Sequence, residues 1–130
     1  MGTVLIIDDE PGIRDYLTAL IQRLGHETVT AATSAEGIEK LARPDCQLVI
    51  ADILLPDSPS AEEWIRQLAQ TAGTRPVVLI SGNHSQAWSE CATACGITTF
   101  LSKPFELAFI RSILKKAFCE TEARTFGSVA

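Results

Sequence analysis

The sequence predicts an α/β fold in which five parallel strands form one doubly wound sheet with helices on both faces. Two observations carry this prediction. Five short apolar runs alternate with five helical patterns along the 130 residues, and several of the runs are apolar without alternation, as in strands that are covered on both faces. The strand order 2-1-3-4-5 is expected because it is common in doubly wound sheets, and spacing alone does not establish it.

The five apolar runs have the length of ordinary strands. The first run continues directly into three acidic residues, and the third is followed at once by an aspartate. The predicted strands are Val4–Ile7, Glu27–Ala31, Gln47–Ala51, Val77–Ile80 and Thr98–Leu101.

Each strand is followed by a pattern with apolar residues three or four positions apart, which is typical of a helix. A glycine follows three of these patterns at Gly25, Gly73 and Gly96, where a helix is expected to stop. The predicted helices run from about Ile13 to Leu24, from Ser34 to before Pro44, from about Ser60 to Ala72, from about Ser85 to Cys95, and from about Phe105 to Phe118. We expect one domain over residues 1–119 and a tail or the start of a linker over residues 120–130.

Composition and charge exclude several classes of function. A net charge of −5 argues against the nucleic-acid backbone as a direct ligand of this domain. The sequence has no apolar run of membrane-spanning length and no signal peptide at its start, so a cytoplasmic location without membrane contact is expected. The four cysteines show no CxxC spacing and are expected to be reduced and structural; a metal site of His84, Cys91 and Cys95 on one helix face is the less favoured alternative.

The three consecutive acids Asp8, Asp9 and Glu10 are the first unusual feature. Two like charges about 4 Å apart repel by roughly 4 kcal/mol at an effective dielectric near 20, so something must offset the repulsion. These acids follow the first strand, and Asp52 follows the third. Because the carboxyl ends of parallel strands meet at one edge of the sheet, we expect the carboxylates of Asp8, Asp9 and Asp52 to lie together.

Carboxylate oxygens suit Mg²⁺, which offsets their repulsion and needs only one or two carboxylates besides water and phosphate oxygens. A carboxylate can also attack phosphorus and form an aspartyl phosphate. Ser81 after the fourth strand and Lys103 after the fifth would stabilise phosphoryl oxygens at the same edge. Taken singly, each residue has a simpler interpretation: the acids before Pro11 as a helix cap, Asp52 as a turn residue, Ser81 as a cap and Lys103 as a solvated lysine.

Four segments together resemble the receiver domain of two-component response regulators. They are VLIIDDEP, LVIADILLP, LISG and FLSKPF, and the resemblance extends over about residues 3 to 118. It implies the flavodoxin-like receiver fold. Each segment alone is a weak signal, and their shared order and separation make a strong one.

The resemblance implies a role for each residue of the site. Asp52 would be the phosphoacceptor, and Asp9, Asp52 and the main-chain carbonyl of Leu54 would bind Mg²⁺ directly, with Asp8 acting through water. Ser81 would be the switch hydroxyl and Phe100 the aromatic switch residue. Lys103 would be the lysine of the family motif, Gly82 would leave room for the phosphoryl group, and the Lys103–Pro104 bond would be cis.

The implied function is a phosphorylation-dependent switch that catalyses its own phosphorylation and dephosphorylation without turnover of a metabolite. One partner would be a histidine kinase or phosphotransfer protein. The other would be an output domain or partner protein bound through the face of the fourth helix, fifth strand and fifth helix; a dimer is also possible.

Two alternatives stay open. One is a Mg²⁺-dependent aspartyl-phosphate phosphohydrolase, although Asp8 and Asp9 are adjacent where those enzymes have a DxD spacing. The other is a degenerate receiver that only binds protein.

Three positions depart from the family pattern. The loop after the acceptor has Ser60 where a glycine is usual, with Pro56 and Pro59 nearby, so its conformation is an open question. Leu54 is apolar where many relatives are polar. Phe100 lacks the hydroxyl of the tyrosine often found at that position.

Overall fold

Five parallel strands form a single sheet in the order β2-β1-β3-β4-β5, which confirms the predicted fold class and strand order. The computed structural model describes residues 2–58, 60–81, 86–97, 99–102, 108–116 and 118. The elements are β1 Thr3–Ile7, α1 Pro11–Arg23, β2 Glu27–Ala31, α2 Ser34–Leu41, β3 Leu48–Asp52, α3 Ala61–Ala72, β4 Val77–Ser81, α4 Gln86–Ala94 and β5 Thr99–Ser102, followed by helical residues 108–116, here α5.

Three strands extend one residue further toward their carboxyl ends than the apolar runs predict. β3 ends at Asp52, β4 at Ser81 and β5 at Ser102, so the predicted ends at residues 51, 80 and 101 are wrong by one position. The ladder continues because strand pairing uses main-chain groups, which polar residues also carry. The functional candidates Asp52 and Ser81 are therefore strand residues and not loop residues.

The sheet separates two apolar layers because alternate residues of a strand point to opposite faces. On one face, Leu5, Ile7 and Leu79 pack with residues of α2, α3 and α4. On the other face, Val4 and Ile6 pack with residues of α1 and α5. Covering both faces buries the central strands completely, as the unalternating apolar runs predicted.

The helix ends follow the signals predicted at three glycines and at the start of α2. Gly25, Gly73 and Gly96 all have positive φ, a conformation that favours glycine after a helix. The predicted start of α2 at Ser34 is right, but the capping side chain is that of Thr33, whose hydroxyl accepts from the Glu36 N–H at 3.1 Å. Ser34 has a different role, described below.

None of the helices in the described part of the chain is long and apolar enough to cross a membrane.

Arg75 joins α2 to α3 at the edge of the sheet opposite the acidic residues. Its guanidinium lies just before β4 and donates hydrogen bonds to main-chain carbonyls at the carboxyl ends of both helices and in the loop before β3. The acceptors are Leu41 at 2.7 Å, Thr71 at 2.9 Å, Arg43 and Ala72 at 3.0 Å, and Cys46 at 3.2 Å. One side chain thus satisfies helix-end carbonyls that would otherwise need water.

The cysteines in the described ranges, Cys46, Cys91 and Cys95, are free thiols; Cys119 lies outside those ranges. Burial raises the pKa of the Cys46 thiol, and burial also raises that of Cys91. Raised pKa values keep both thiols protonated at neutral pH, which agrees with the structural role expected from the sequence.

Candidate functional site: the acidic edge of the sheet

Three neighbouring strands end in buried polar side chains at the carboxyl edge of the sheet. Asp8 follows β1 and is 0% exposed, Asp52 ends β3 and is 5% exposed, and Ser81 ends β4 and is 6% exposed. The register places Ile7 beside Ala51, and Asp52 beside Ile80, so the three side chains lie at nearly one level. Among the described residues only one other polar side chain, that of Ser34, is buried. Burial of polar groups is costly, and this concentration therefore marks the edge as a site.

The turn from β1 into α1 fixes the position of Asp8. Its N–H donates to the Ala31 carbonyl at 3.1 Å, and its Oδ1 accepts from the Glu10 N–H at 2.9 Å. Its own carbonyl accepts from Arg14 Nη1 at 2.7 Å. Glu10 occupies the N-cap position before Pro11, yet its side chain makes no capping hydrogen bond. The Glu10 side chain therefore does not cap α1.

Carboxylate oxygens of Asp8, Asp9 and Glu10 all lie within 4.8 Å of one another, with Asp8 buried and the other two exposed. This all-oxygen, anionic donor set fits a hard divalent cation such as Mg²⁺. The sequence did not predict Glu10 as a member of the cluster. Asp52 was predicted as a ligand but is not one of these three clustered residues, and its ligand role, like that of the Leu54 carbonyl, stays a prediction.

Both the side chain and the main chain of Asp52 accept hydrogen bonds. Its Oδ1 accepts from the Leu54 N–H at 3.0 Å, and its main-chain carbonyl accepts from the Trp64 Nε1–H at 2.8 Å. The Leu54 side chain is 64% exposed beside it. The acceptor candidate therefore has a defined backbone and an apolar neighbour that points into solvent.

The loop between β3 and α3, whose conformation the sequence left open, contains local hydrogen bonds in its described residues 53–58 and 60. Ser58 donates through its N–H and its hydroxyl to the Leu55 carbonyl, at 3.1 and 2.9 Å. Ser60, in place of the usual glycine, caps α3 by accepting from the Glu63 N–H at 3.1 Å. A cavity of about 380 Å³ lies beside this loop and is lined by Asp9, Leu54, Leu55, Pro56, Ser58, Ser60 and Ala61.

Asp57 attaches this loop to the start of α2. Its carboxylate accepts from the Ser34 N–H at 2.9 Å, the Ser34 hydroxyl at 2.8 Å and the Ala35 N–H at 3.2 Å. The Ser34 N–H beside the carboxylate lowers the pKa of Asp57, because hydrogen bonding favours the charged form. The positive end of the α2 dipole favours the same charge.

Phe100 lies on β5 as the sequence predicted, whereas Ser81 is the last residue of the neighbouring strand β4 and not the residue after it. Ser81 pairs with Ser102 in the ladder, and Phe100 pairs with Leu79. Phe100 is partly buried and contacts the Trp88 ring of α4 edge to face, with ring centroids 5.4 Å apart. Gly82, Lys103 and Pro104, and with them the predicted lysine and cis bond, lie outside the described residues.

Sequence reasoning missed Asp57 and Trp64. Both act through contacts between residues far apart in the chain, 23 and 22 positions for Asp57 and 12 for Trp64. The available signals were a turn aspartate after Pro56 and a tryptophan on the buried face of a helix, and neither indicates its partner.

The strand order and the acids at the carboxyl ends of β1 and β3 define a flavodoxin-like α/β domain of the CheY type. The chain belongs to the response regulator receiver domain family, whose family model matches residues 4–115. The predicted family is thereby confirmed, as is the receiver interpretation over the phosphohydrolase alternative. The boundary predicted at residue 119 stays a prediction.

Curated relatives agree with this assignment. The chain is 31% identical over 125 residues to the KDP operon transcriptional regulatory protein KdpE of Escherichia coli, covering 96% of this chain and 55% of that protein. It is 33% identical over 113 residues to the response regulator protein PilR of Pseudomonas aeruginosa, covering 87% and 25%. The chain thus spans about half of KdpE and a quarter of PilR.

The fold is that of a CheY-like receiver domain protein from Methanospirillum hungatei, with a TM-score of 0.86, 24% identity, and coverage of 95% of this chain and 98% of that one. A chemotaxis protein CheY4 from Vibrio cholerae gives a TM-score of 0.80 at 24% identity, covering 91% and 99%. The likeness to these two structures concerns the fold alone.

Proposed function

We propose that this receiver domain is a phosphorylation-dependent switch that accepts a phosphoryl group on the carboxylate of Asp52. The donor is a phosphohistidine of a histidine kinase or phosphotransfer protein. The domain acts in the cytoplasm. The observation that carries the proposal is the set of three buried polar side chains, Asp8, Asp52 and Ser81, at adjacent strand ends. Asp52 lies on the middle strand of the three, with a polar group on either side.

In the transfer, one carboxylate oxygen of Asp52 attacks phosphorus and forms the O–P bond of an aspartyl phosphate. The P–N bond to the donor imidazole breaks, and its electron pair returns to the ring, which then takes up a proton. The Leu54 N–H holds Oδ1 at 3.0 Å and so orients the carboxylate. The Ser81 hydroxyl, and Lys103 by the family motif, stabilise the charge on the phosphoryl oxygens.

Asp9, Asp52 and the Leu54 carbonyl would hold Mg²⁺, with Asp8 acting through water. The cluster of Asp8, Asp9 and Glu10 supports a cation at this point. When bound, the ion neutralises the acids and the charge of the phosphoryl oxygens. Without it, an anionic phosphodonor meets the uncompensated charge of the neighbouring acids, so the transfer depends on a divalent cation.

The phosphorylated domain controls an output domain or partner protein through α4, β5 and α5, and does not itself bind nucleic acid. Two facts support an output outside this domain. KdpE and the Pseudomonas aeruginosa protein GltR are named transcriptional regulatory proteins, and the chain covers only 55% and 50% of them. The same face could also pair two copies of the domain.

Incubation with acetyl phosphate tests the proposal. We expect the wild-type protein to gain one phosphoryl group by intact mass when Mg²⁺ is present and none when it is chelated. Asp52→Ala should gain none, while Asp45→Ala, an exposed aspartate before β3 at the opposite edge, should react like the wild type. Circular dichroism serves as the check that both variants fold. Equal labelling of Asp52→Ala would refute the assignment, and an unlabelled wild-type protein would favour the degenerate receiver.

A further inference from the structure

Trp64 contacts the main chain of the proposed phosphoacceptor from inside the core. It is the fourth residue of α3 and is 0% exposed, and its Nε1–H donates to the Asp52 carbonyl at 2.8 Å in a fully buried hydrogen bond. The indole N–H is a donor only and needs a partner when it is buried. A phenylalanine could fill much of the same apolar space without that requirement, so the bond distinguishes tryptophan from other aromatic residues here.

The bond completes the fixation of one peptide group. The carbonyl of the Asp52–Ile53 peptide is held by Trp64, and its N–H is held by the Ile80 carbonyl of β4 at 3.1 Å. A peptide group is planar, so partners on both sides prevent its rotation. The next N–H, that of Leu54, then bonds to Asp52 Oδ1 at 3.0 Å. The fixed peptide and the bond from the Leu54 N–H to Oδ1 together hold the Asp52 carboxylate beside Leu54, whose carbonyl is the other proposed ligand.

Trp64 itself is anchored at the start of its helix. Its main-chain N–H donates to the Ser60 carbonyl at 3.0 Å, while the Ser60 hydroxyl caps the helix at the Glu63 N–H. The indole packs in the same apolar cluster as Ile53 and Ile65. The donor is therefore a fully buried side chain on the first turn of a capped helix.

We propose that Trp64 is a positioning residue for the cation and phosphoryl site: its N–H fixes the Asp52–Ile53 peptide so that the Asp52 carboxylate and the Leu54 carbonyl can bind one divalent cation together. The inference rests on the proposed function, because it assigns both groups to the same ion. Groups that orient metal ligands typically contribute 10- to 100-fold to metal affinity. We therefore expect Trp64→Phe to weaken Mg²⁺ binding by about tenfold.

The test is a Mg²⁺ titration of the unphosphorylated protein followed by amide chemical shifts. In Trp64→Phe, the amides of Ile53 and Leu54 should shift before any metal is added, and the Mg²⁺ dissociation constant should rise about tenfold. Ile65→Val is the matched control, since it removes a buried methyl group from the next residue of α3 and no donor. It should lose stability but keep the wild-type affinity. Equal affinity of Trp64→Phe and wild type would overturn the inference.

A second measurement needs no variant. In the wild type, saturation with Mg²⁺ should shift the Trp64 indole N–H resonance more than that of Trp88, whose ring packs on Phe100. A Trp64 indole resonance that stays unmoved while the Leu54 amide shifts would overturn the inference and leave the proposed function standing. A wild-type protein without Mg²⁺-induced shifts at Asp8, Asp9 and Asp52 would overturn both.

Discussion

Leu54 is the residue at which the proposed function predicts control over the lifetime of an aspartyl phosphate. Its side chain is 64% exposed and lines the cavity beside Asp9, while its N–H holds Asp52 Oδ1. Hydrolysis of an aspartyl phosphate requires a water in line with the O–P bond. A leucine beside that path cannot hydrogen-bond a water and shields the phosphorus, whereas a polar side chain can orient one.

We predict that Leu54→Asn accelerates autodephosphorylation several-fold, because asparagine can bind the attacking water where leucine excludes it. The decay of the aspartyl phosphate after removal of the phosphodonor measures the effect. Leu54→Met serves as the control, since it keeps an apolar side chain of similar size, and it should decay like the wild type. Unchanged or slower decay in Leu54→Asn would show that this side chain does not govern access.

At the scale of the elements, the β3–α3 loop is attached to α2 through Asp57. Three donors at the start of α2, from Ser34 and Ala35, converge on one carboxylate. α2 in turn packs closely on β1, where a Cβ on Gly37 would lie 2.7 Å from Ile7 Cδ1. The position of the β3–α3 loop relative to β1, the strand that precedes the acids, is therefore set through α2.

We predict that Asp57→Ala lowers the free energy of unfolding by about 1 kcal/mol at pH 7, the usual cost of losing a helix-capping side chain. The pKa of Asp57 is lowered in the folded state, so its contribution is present above the unfolded pKa of about 4 and is lost as pH falls through the folded value. The difference between wild type and Asp57→Ala should therefore shrink below about pH 4.

Urea unfolding followed by circular dichroism at several pH values measures this difference. Asp45→Ala, at an exposed aspartate without such contacts among those described, should match the wild type throughout. A stability difference for Asp57→Ala that persists unchanged at low pH would argue against the carboxylate as its source.

At the scale of the whole molecule, the contacts on one face of the sheet connect the acidic edge to α4 and β5. Ser81 lies two residues after Leu79 on β4, so both side chains point to the same face of the sheet. Leu79 pairs with Phe100 of β5 and packs in the same apolar cluster as Trp88 of α4. A phosphoryl group on Asp52 would draw the Ser81 hydroxyl toward it by a charge-assisted hydrogen bond. Packed interiors respond to such a shift by discrete rearrangement, so Phe100 and α4 are the elements expected to move.

We predict that beryllofluoride with Mg²⁺ shifts amide resonances across residues 86–102 and 108–116, and that Ser81→Ala abolishes most of these distant shifts. The coupling available to one phosphoryl group is about 1–3 kcal/mol, enough to repopulate two states. Thr93→Ala is the control, since the Thr93 hydroxyl bonds only the Ser89 carbonyl of its own helix among the contacts described, at 2.9 Å. Shifts confined to the surroundings of Asp52, or equal in Ser81→Ala, would contradict the coupling.

The sequence by itself determined the fold class, the five strands and the edge at which the polar residues meet. It did so because hydrophobic periodicity and glycine stops are local signals, and because parallel strands bring their carboxyl ends together. The structure places Asp8, Asp52 and Ser81 at adjacent strand ends, as these local signals indicate, while the roles of these residues and of Asp9 and Phe100 stay predictions.

Only the tertiary structure decided which distant groups hold these residues in place. The Asp57 bond to Ser34, the Trp64 bond to the Asp52 carbonyl and the Arg75 link between α2 and α3 each join segments 12 to 34 residues apart. A hydrogen bond needs a donor and an acceptor about 3 Å apart in a favourable direction, and that distance is set by how the elements pack. The residue types and their spacing in one sequence do not reveal which donor and acceptor come that close.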